Sequence, residues 1–149
     1  MKIYTDGSTR GNGQENSYGG WAFVMENGYY ESGAEEQTTN NRMELMAAIK
    51  ALNYCAQSDW ENFQKGITIC TDSAYLYNCW QQHWWHSWLK NDWTNSKKQP
   101  VLNKDLWVKL IPFFILDCVE FEKVKGHNGN HFNELADQYA TTAADNLKI

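Results

Sequence analysis

Two short apolar runs in this chain each stop at an aspartate. Lys2-Ile-Tyr-Thr5 runs into Asp6, and Gly66-Ile-Thr-Ile-Cys70, followed by Thr71, runs into Asp72. Runs of this length, bounded by turn residues, read as buried strands. They must pair in a sheet and be covered by helices. The helical patterns carry acidic residues too. Leu45, Ile49, Leu52 and Ala56 recur at i, i+4, i+7 and i+11 and mark one buried face of a helix that starts at Asn40 and Asn41, with Glu44 near its start. Asp137 lies in a later helical segment, Asn133 to Ala144, shortly after Gly126-His127.

The remaining segments complete a mixed α/β order. A Gly/Asn/Ser-rich stretch from Gly7 to Tyr18 reads as a loop. Trp21–Met25 and Tyr29–Ser32 flank Asn27-Gly28, a hairpin signal because both central turn positions favour positive φ. After the Gly66–Cys70 strand, Asp72 or Ser73 caps the next helix, and a Trp-rich helical stretch, with Trp80, Trp84 and Trp88 spaced to share one face, runs to about Asn91. A polar loop leads to a helix from Asn103 that Pro112 should end or kink, and Cys118–Val124 reads as the last strand. The order βββαβαααβα predicts a mixed sheet with helices on its faces. Its strand-to-helix junctions would deliver their carboxylates to one edge, where open α/β sheets place ligands.

A chain of 149 residues is expected to form one domain, 1–149, with a proper core. The net charge of −5 argues against a broadly basic nucleic-acid surface, but the charge is unevenly spread. From Trp80 to Leu110 there are five Lys against two Asp, and five of the eight Trp (80, 84, 85, 88, 93) fall within the short stretch from Trp80 to Trp93. A mildly basic, aromatic segment on an acidic body suits local contact with a polyanion. The four cysteines (55, 70, 79, 118) are far apart in apolar contexts, so buried free thiols are expected and zinc is not. With no visible signal peptide and no run of ~20 apolar residues, a cytoplasmic monomer in a reducing compartment, without membrane attachment, is the expectation.

Each carboxylate has an ordinary reading. Asp6-Gly7 reads as a turn, Glu44 as the N3 partner of a helix cap at Asn41, Asp72 as an N-cap, and Asp137 as a surface residue. Together, in their local contexts, they say more. Tyr-Thr-Asp-Gly-Ser, Asn-Asn-Arg-Met-Glu-Leu, Thr-Asp-Ser and Gly-His-x-Gly-(x)₃-Asn-Glu-x-Ala-Asp follow one another in this order. The set resembles ribonuclease H of type 1, from residue 2 to about residue 144.

That resemblance implies a ribonuclease H-like fold: a five-stranded mixed sheet in the order 3-2-1-4-5, flanked by helices, with a Trp-rich protruding helix-loop. It implies an endonuclease that hydrolyses the RNA strand of RNA/DNA hybrids and leaves 3′-hydroxyl and 5′-phosphate ends. Asp6, Glu44, Asp72 and Asp137 would hold two Mg²⁺ ions, Asp6 bridging them, with Mn²⁺ as a substitute. Hard cations of this kind take oxygen ligands and offset the repulsion between clustered carboxylates and a phosphodiester. Without metal, that repulsion should raise at least one carboxylate pKa. His127 would be an auxiliary proton shuttle or aid product release, His131 idle in solvent, and Glu134 an assistant at the metal site.

On the substrate side, backbone groups of the Gly7–Gly13 loop with Asn12, Asn40 and Asn41 would contact ribose hydroxyls, which distinguish RNA from DNA. Thr39 and Asn103 would form a pocket for a DNA-strand phosphate. Trp84 and Trp88 would line the channel for the deoxyribose strand, with Trp80 packed inward and Trp85 and Trp93 supporting the protrusion. Lys97 and Lys98 supply most of the protrusion's charge, fewer cations than many bacterial relatives carry, which implies weak binding with a shallow salt dependence. The apolar Leu110–Leu116 stretch reads either as extra core or as a docking patch. Rival readings are an integrase-like DNA nuclease of the same superfold, a catalytically silent hybrid-binding module, and a piece of a reverse transcriptase.

Overall fold

The computed structural model of the protein describes residues 1–125 and 130–147. His127, with Gly126 and Gly129, lies outside the described residues. Five strands, β1 (Lys2–Arg10), β2 (Tyr18–Met25), β3 (Tyr30–Glu36), β4 (Ile67–Thr71) and β5 (Val119–Lys123), form one sheet in the order β3-β2-β1-β4-β5. The first three pair antiparallel with one another; β4 runs parallel to β1 and β5 parallel to β4. The helices are α1 (Asn40–Ser58), α2 (Trp60–Gln64), α3 (Ala74–Gln82), α4 (Trp84–Lys90), α5 (Lys104–Phe114) and α6 (His131–Asn146). The fold class and the strand order are those expected.

Period-two alternation sorts the strand side chains into two cores. Ile3, Phe23 and Ile69 face the larger one, with Leu45 and Leu52 of α1 and Leu106, Trp107 and Leu110 of α5. Tyr4, Val24 and Cys70 face the other way, onto Ala136 of α6. Ala136, Ala140 and Ala144 are fully buried, and these small side chains let α6 come down against Gly20 of β2.

Four local expectations are corrected. The first strand continues to Arg10 instead of stopping at Thr5, because Gly7–Arg10 pair with Tyr18–Trp21 across the hairpin. Ladder hydrogen bonds override the loop-like composition, and the true loop is 11–17. Second, α2 was not anticipated; Asp59 caps it by accepting from the Asn62 N–H. Third, the shared face expected for Trp80, Trp84 and Trp88 is interrupted, since His83 takes a left-handed conformation (φ 57°) between α3 and α4. Trp80 therefore shares no continuous face with Trp84 and Trp88. It is half-buried on Phe121, with ring centroids 5.6 Å apart, while Trp85 is a core residue 3 % exposed. Fourth, α5 passes through Pro112 and ends at Phe114. The carbonyl that Pro112 leaves unpaired lies one turn back at Val108, which is exposed, so water can serve it. Leu110 and Phe114 are buried and Ile111, Phe113 and Leu116 pack against the core, while Pro112 and Ile115 are exposed.

Candidate active site

Asp6 sits within β1, Asp72 directly follows β4, and parallel pairing of these two central strands sets the aspartates side by side. Glu44 comes from α1, and the contact that delivers it is at Gly7. A Cβ at Gly7 would lie 2.7 Å from Met43 Cβ and 2.8 Å from the Glu44 nitrogen, so only glycine lets α1 approach this closely. The Gly7 N–H donates to Glu44 Oε1 at 3.1 Å and to Asp6 Oδ1 at 2.8 Å. Glu44 is thus no capping residue. Thr39 caps α1, its hydroxyl accepting from the Arg42 N–H. Ser73, rather than Asp72, caps α3.

Asp6, Glu44 and Asp72 each place a carboxylate oxygen within 4.8 Å of the other two. Asp137 of α6 lines the same cleft as Asp6 and Asp72, together with Thr5, Val124, Asn133 and Glu134. Burial pushes the Asp6 carboxyl up to about 7, and the charges of Asp72 and Asp137 push the same way. Burial, then the charges of Asp6 and Asp72, raise Glu44 well above the usual carboxylate range. Glu44 is 8 % exposed, and its Oε2 is buried with no hydrogen-bond donor beside it. Three carboxylates this close together, with a buried Glu44 oxygen that forms no hydrogen bond, fit a hard divalent cation, which takes oxygen ligands.

Over residues 1–145 the chain matches the RNase H family. It belongs to that family. A ribonuclease H from Syntrophomonas wolfei is 46 % identical over 148 residues, covering 97 % of this chain and 96 % of the relative. One from Clostridium botulinum (strain Hall) is 39 % identical, covering 99 % and 97 %. Among solved structures, LC9-RNase H1, described as a type 1 RNase H with the type 2 active-site motif, superimposes with a TM-score of 0.77. It is 27 % identical, and the match covers 97 % of this chain and 72 % of that one. The protein is accordingly an enzyme, a ribonuclease H.

The other residues expected to serve this RNase H lie on the 11–17 loop, at the start of α1, just before α5, and on α4 and the loop after it. Asn12 Oδ1 accepts from the Asn40 N–H at 3.0 Å and ties the 11–17 loop to the start of α1, where Asn40 and Asn41 are exposed. Asn103, left-handed at φ 63°, accepts from Arg42 Nη1 at 3.3 Å and donates to the Tyr75 hydroxyl at 3.1 Å. Arg42 is therefore the link between Thr39 and Asn103: its backbone bonds one and its guanidinium the other. It also forks onto Asp105 at 3.0 and 2.9 Å.

Farther out, Trp84 and Trp88 are half-buried, with ring centroids 6.4 Å apart, and Trp88 leans on Trp93 and Trp107. Lys97 and Lys98 are exposed on the loop beyond them, His131 is exposed at the start of α6, and Glu134 borders the cleft. Sequence reasoning missed Arg42 and Asn133. Asn133 precedes Asp137 by one helical turn, and that spacing was the available signal.

Proposed function

We propose that this RNase H is an endonuclease that hydrolyses the RNA strand of RNA/DNA hybrids, leaving 3′-hydroxyl and 5′-phosphate ends. The observation that carries the proposal is the convergence of Asp6, Glu44 and Asp72 within 4.8 Å, around a buried Glu44 oxygen that no donor reaches. Two Mg²⁺ ions, replaceable by Mn²⁺, would be held by these three residues and Asp137. When bound, such a pair supplies a water of lowered pKa and charge neutralisation at the scissile phosphate.

The chain's own groups do the rest. The Gly7 N–H holds the Asp6 and Glu44 carboxylates in one orientation before metal arrives, which limits the reorganisation needed on loading. Asn12, Asn40, Asn41 and the nearby loop backbone offer amide donors and acceptors to ribose hydroxyls. Thr39 and Asn103 receive a phosphate of the DNA strand, Trp84 and Trp88 face its sugars, and Lys97 and Lys98 add charge farther out. His127 moves protons or aids product departure. The reading takes 1–149 as one domain acting as a cytoplasmic monomer with no obligate protein partner; among the described residues no helix is long and apolar enough to cross a membrane.

The test is cleavage of end-labelled RNA/DNA hybrid in Mg²⁺, with duplex DNA and duplex RNA as controls, for the wild type and Asp6→Asn. Cleavage of hybrid alone, absent in the variant, is expected. Cleavage of duplex DNA would assign the chain to an integrase-like activity, and hybrid binding without cleavage would make it a silent binding module.

A further inference from the structure

Asn133 lies on the wall of the carboxylate cleft, in the first turn of α6, and its side-chain Nδ2 is buried with no hydrogen-bond partner. It plays no part in capping. Asn130 caps α6, its Oδ1 accepting from the Phe132 and Asn133 backbone N–H groups at 2.9 and 3.0 Å. A buried amide donor left unpaired is costly, and such orphans in a folded protein call for a specific explanation. Here the donor shares a cleft with Asp6, Asp72, Glu134 and Asp137, all acceptors. Asp137 stands one turn along the same helix, the spacing at which an amide and a carboxylate can meet.

We infer that Asn133 is a positioning residue whose amide donates to Asp137 when that carboxylate turns toward a bound divalent ion. The inference rests on the metal-site reading above. Metal-bound carboxylates keep their orientation through hydrogen bonds to their outer oxygens, and loss of such a partner typically costs 10–100-fold in metal affinity or activity. Asn133 fits that role chemically, because its NH₂ cannot itself ligate a cation. Its partner is supplied only on loading, so the metal-free protein bears the cost of the orphan.

This leads to a signature that a packing role would not produce. Asn133→Leu keeps the volume and removes the donor. Mn²⁺ titration by calorimetry and thermal melting of the metal-free protein should be run on wild type, Asn133→Leu, Asn133→Ala and Asp6→Asn. The expected result is Mn²⁺ affinity lowered about tenfold in both Asn133 variants, with kcat reduced and KM for hybrid unchanged. The metal-free Tm of Asn133→Leu should equal or exceed that of wild type. Unchanged Mn²⁺ affinity in Asn133→Leu, whether or not its metal-free Tm falls, would overturn the positioning role alone. Absence of Mn²⁺ binding by wild type would overturn the metal-site reading and this inference with it, and Asp6→Asn sets the scale for a disabled site.

Discussion

The backbone N–H of Gly7 donates to Glu44 Oε1 at 3.1 Å, joining the central strand of the sheet to the first helix at the point where the carboxylates meet. The contact exists because residue 7 has no side chain. It converts a steric permission into an electrostatic arrangement, since the same N–H also holds Asp6.

Gly7→Ala should therefore separate α1 from β1. A methyl 2.7 Å from Met43 Cβ cannot be accommodated without backbone movement. Overpacking of this kind costs about 1–3 kcal/mol, and denaturant melts should show it. Mn²⁺ binding should weaken along with stability, because Glu44 is displaced from Asp6. Wild-type metal affinity in a folded Gly7→Ala would count against the contact as the organiser of the site.

The clustered carboxylates predict a pH-dependent instability of the metal-free protein. The folded-state pKa of Asp6 is raised from 3.8 to about 7, first by burial and then by Asp72 and Asp137. The fold therefore favours its protonated form. That contribution is fully present below about pH 4 and is lost as pH rises through about 7. Asp6→Asn removes the titration. Its melting curves and those of wild type should agree near pH 4 and diverge as pH rises through about 7, the variant being the more stable above that range. A pH-independent difference would refute the assignment.

Divalent ions should reverse the same effect. Mg²⁺ requires ionised ligands, so binding is coupled to proton release and stabilises the folded state by mass action. The Tm increase at saturating Mg²⁺ should be larger at pH 8 than at pH 5.5 in wild type, and small in Asp6→Asn at both.

Arg42→Met should act on substrate rather than on metal. The guanidinium ties Asn103 and Asp105 to the start of α1, and Met keeps much of its aliphatic stem while removing those bonds. Asn103, already at φ 63°, would lose an anchor. KM for hybrid should rise several-fold with Mn²⁺ affinity unchanged, and the exposed ion pair should contribute at most about 1 kcal/mol to stability.

Lys98→Gly separates backbone strain from charge. Lys98 holds φ at 60°, where an L side chain costs roughly 1–2 kcal/mol. The variant should melt higher. The slope of log affinity against log salt should become shallower by no more than about one, the value for a single phosphate contact.

The order of strands and helices was readable because alternating and helical periodicities are local properties. So was the family pattern that groups Asp6, Glu44, Asp72 and Asp137. Local reading failed where a distant segment decided the outcome. Gly7–Arg10 looks like loop and becomes strand because Tyr18–Trp21 pairs with it. The break at His83 cannot be read from a Trp spacing that suits a continuous helix. Glu44 looks like a capping residue until α1 is seen resting on Gly7.

By itself, then, the sequence determined which residues carry charge, which faces are apolar and in what order the elements come. Only the tertiary structure decided how close the carboxylates stand, which of them lose water, and which buried donor and acceptor atoms remain unpaired. Those properties depend on burial and on distances between segments remote in the chain: Glu44 meets Gly7 across 37 residues, and no local pattern encodes that approach.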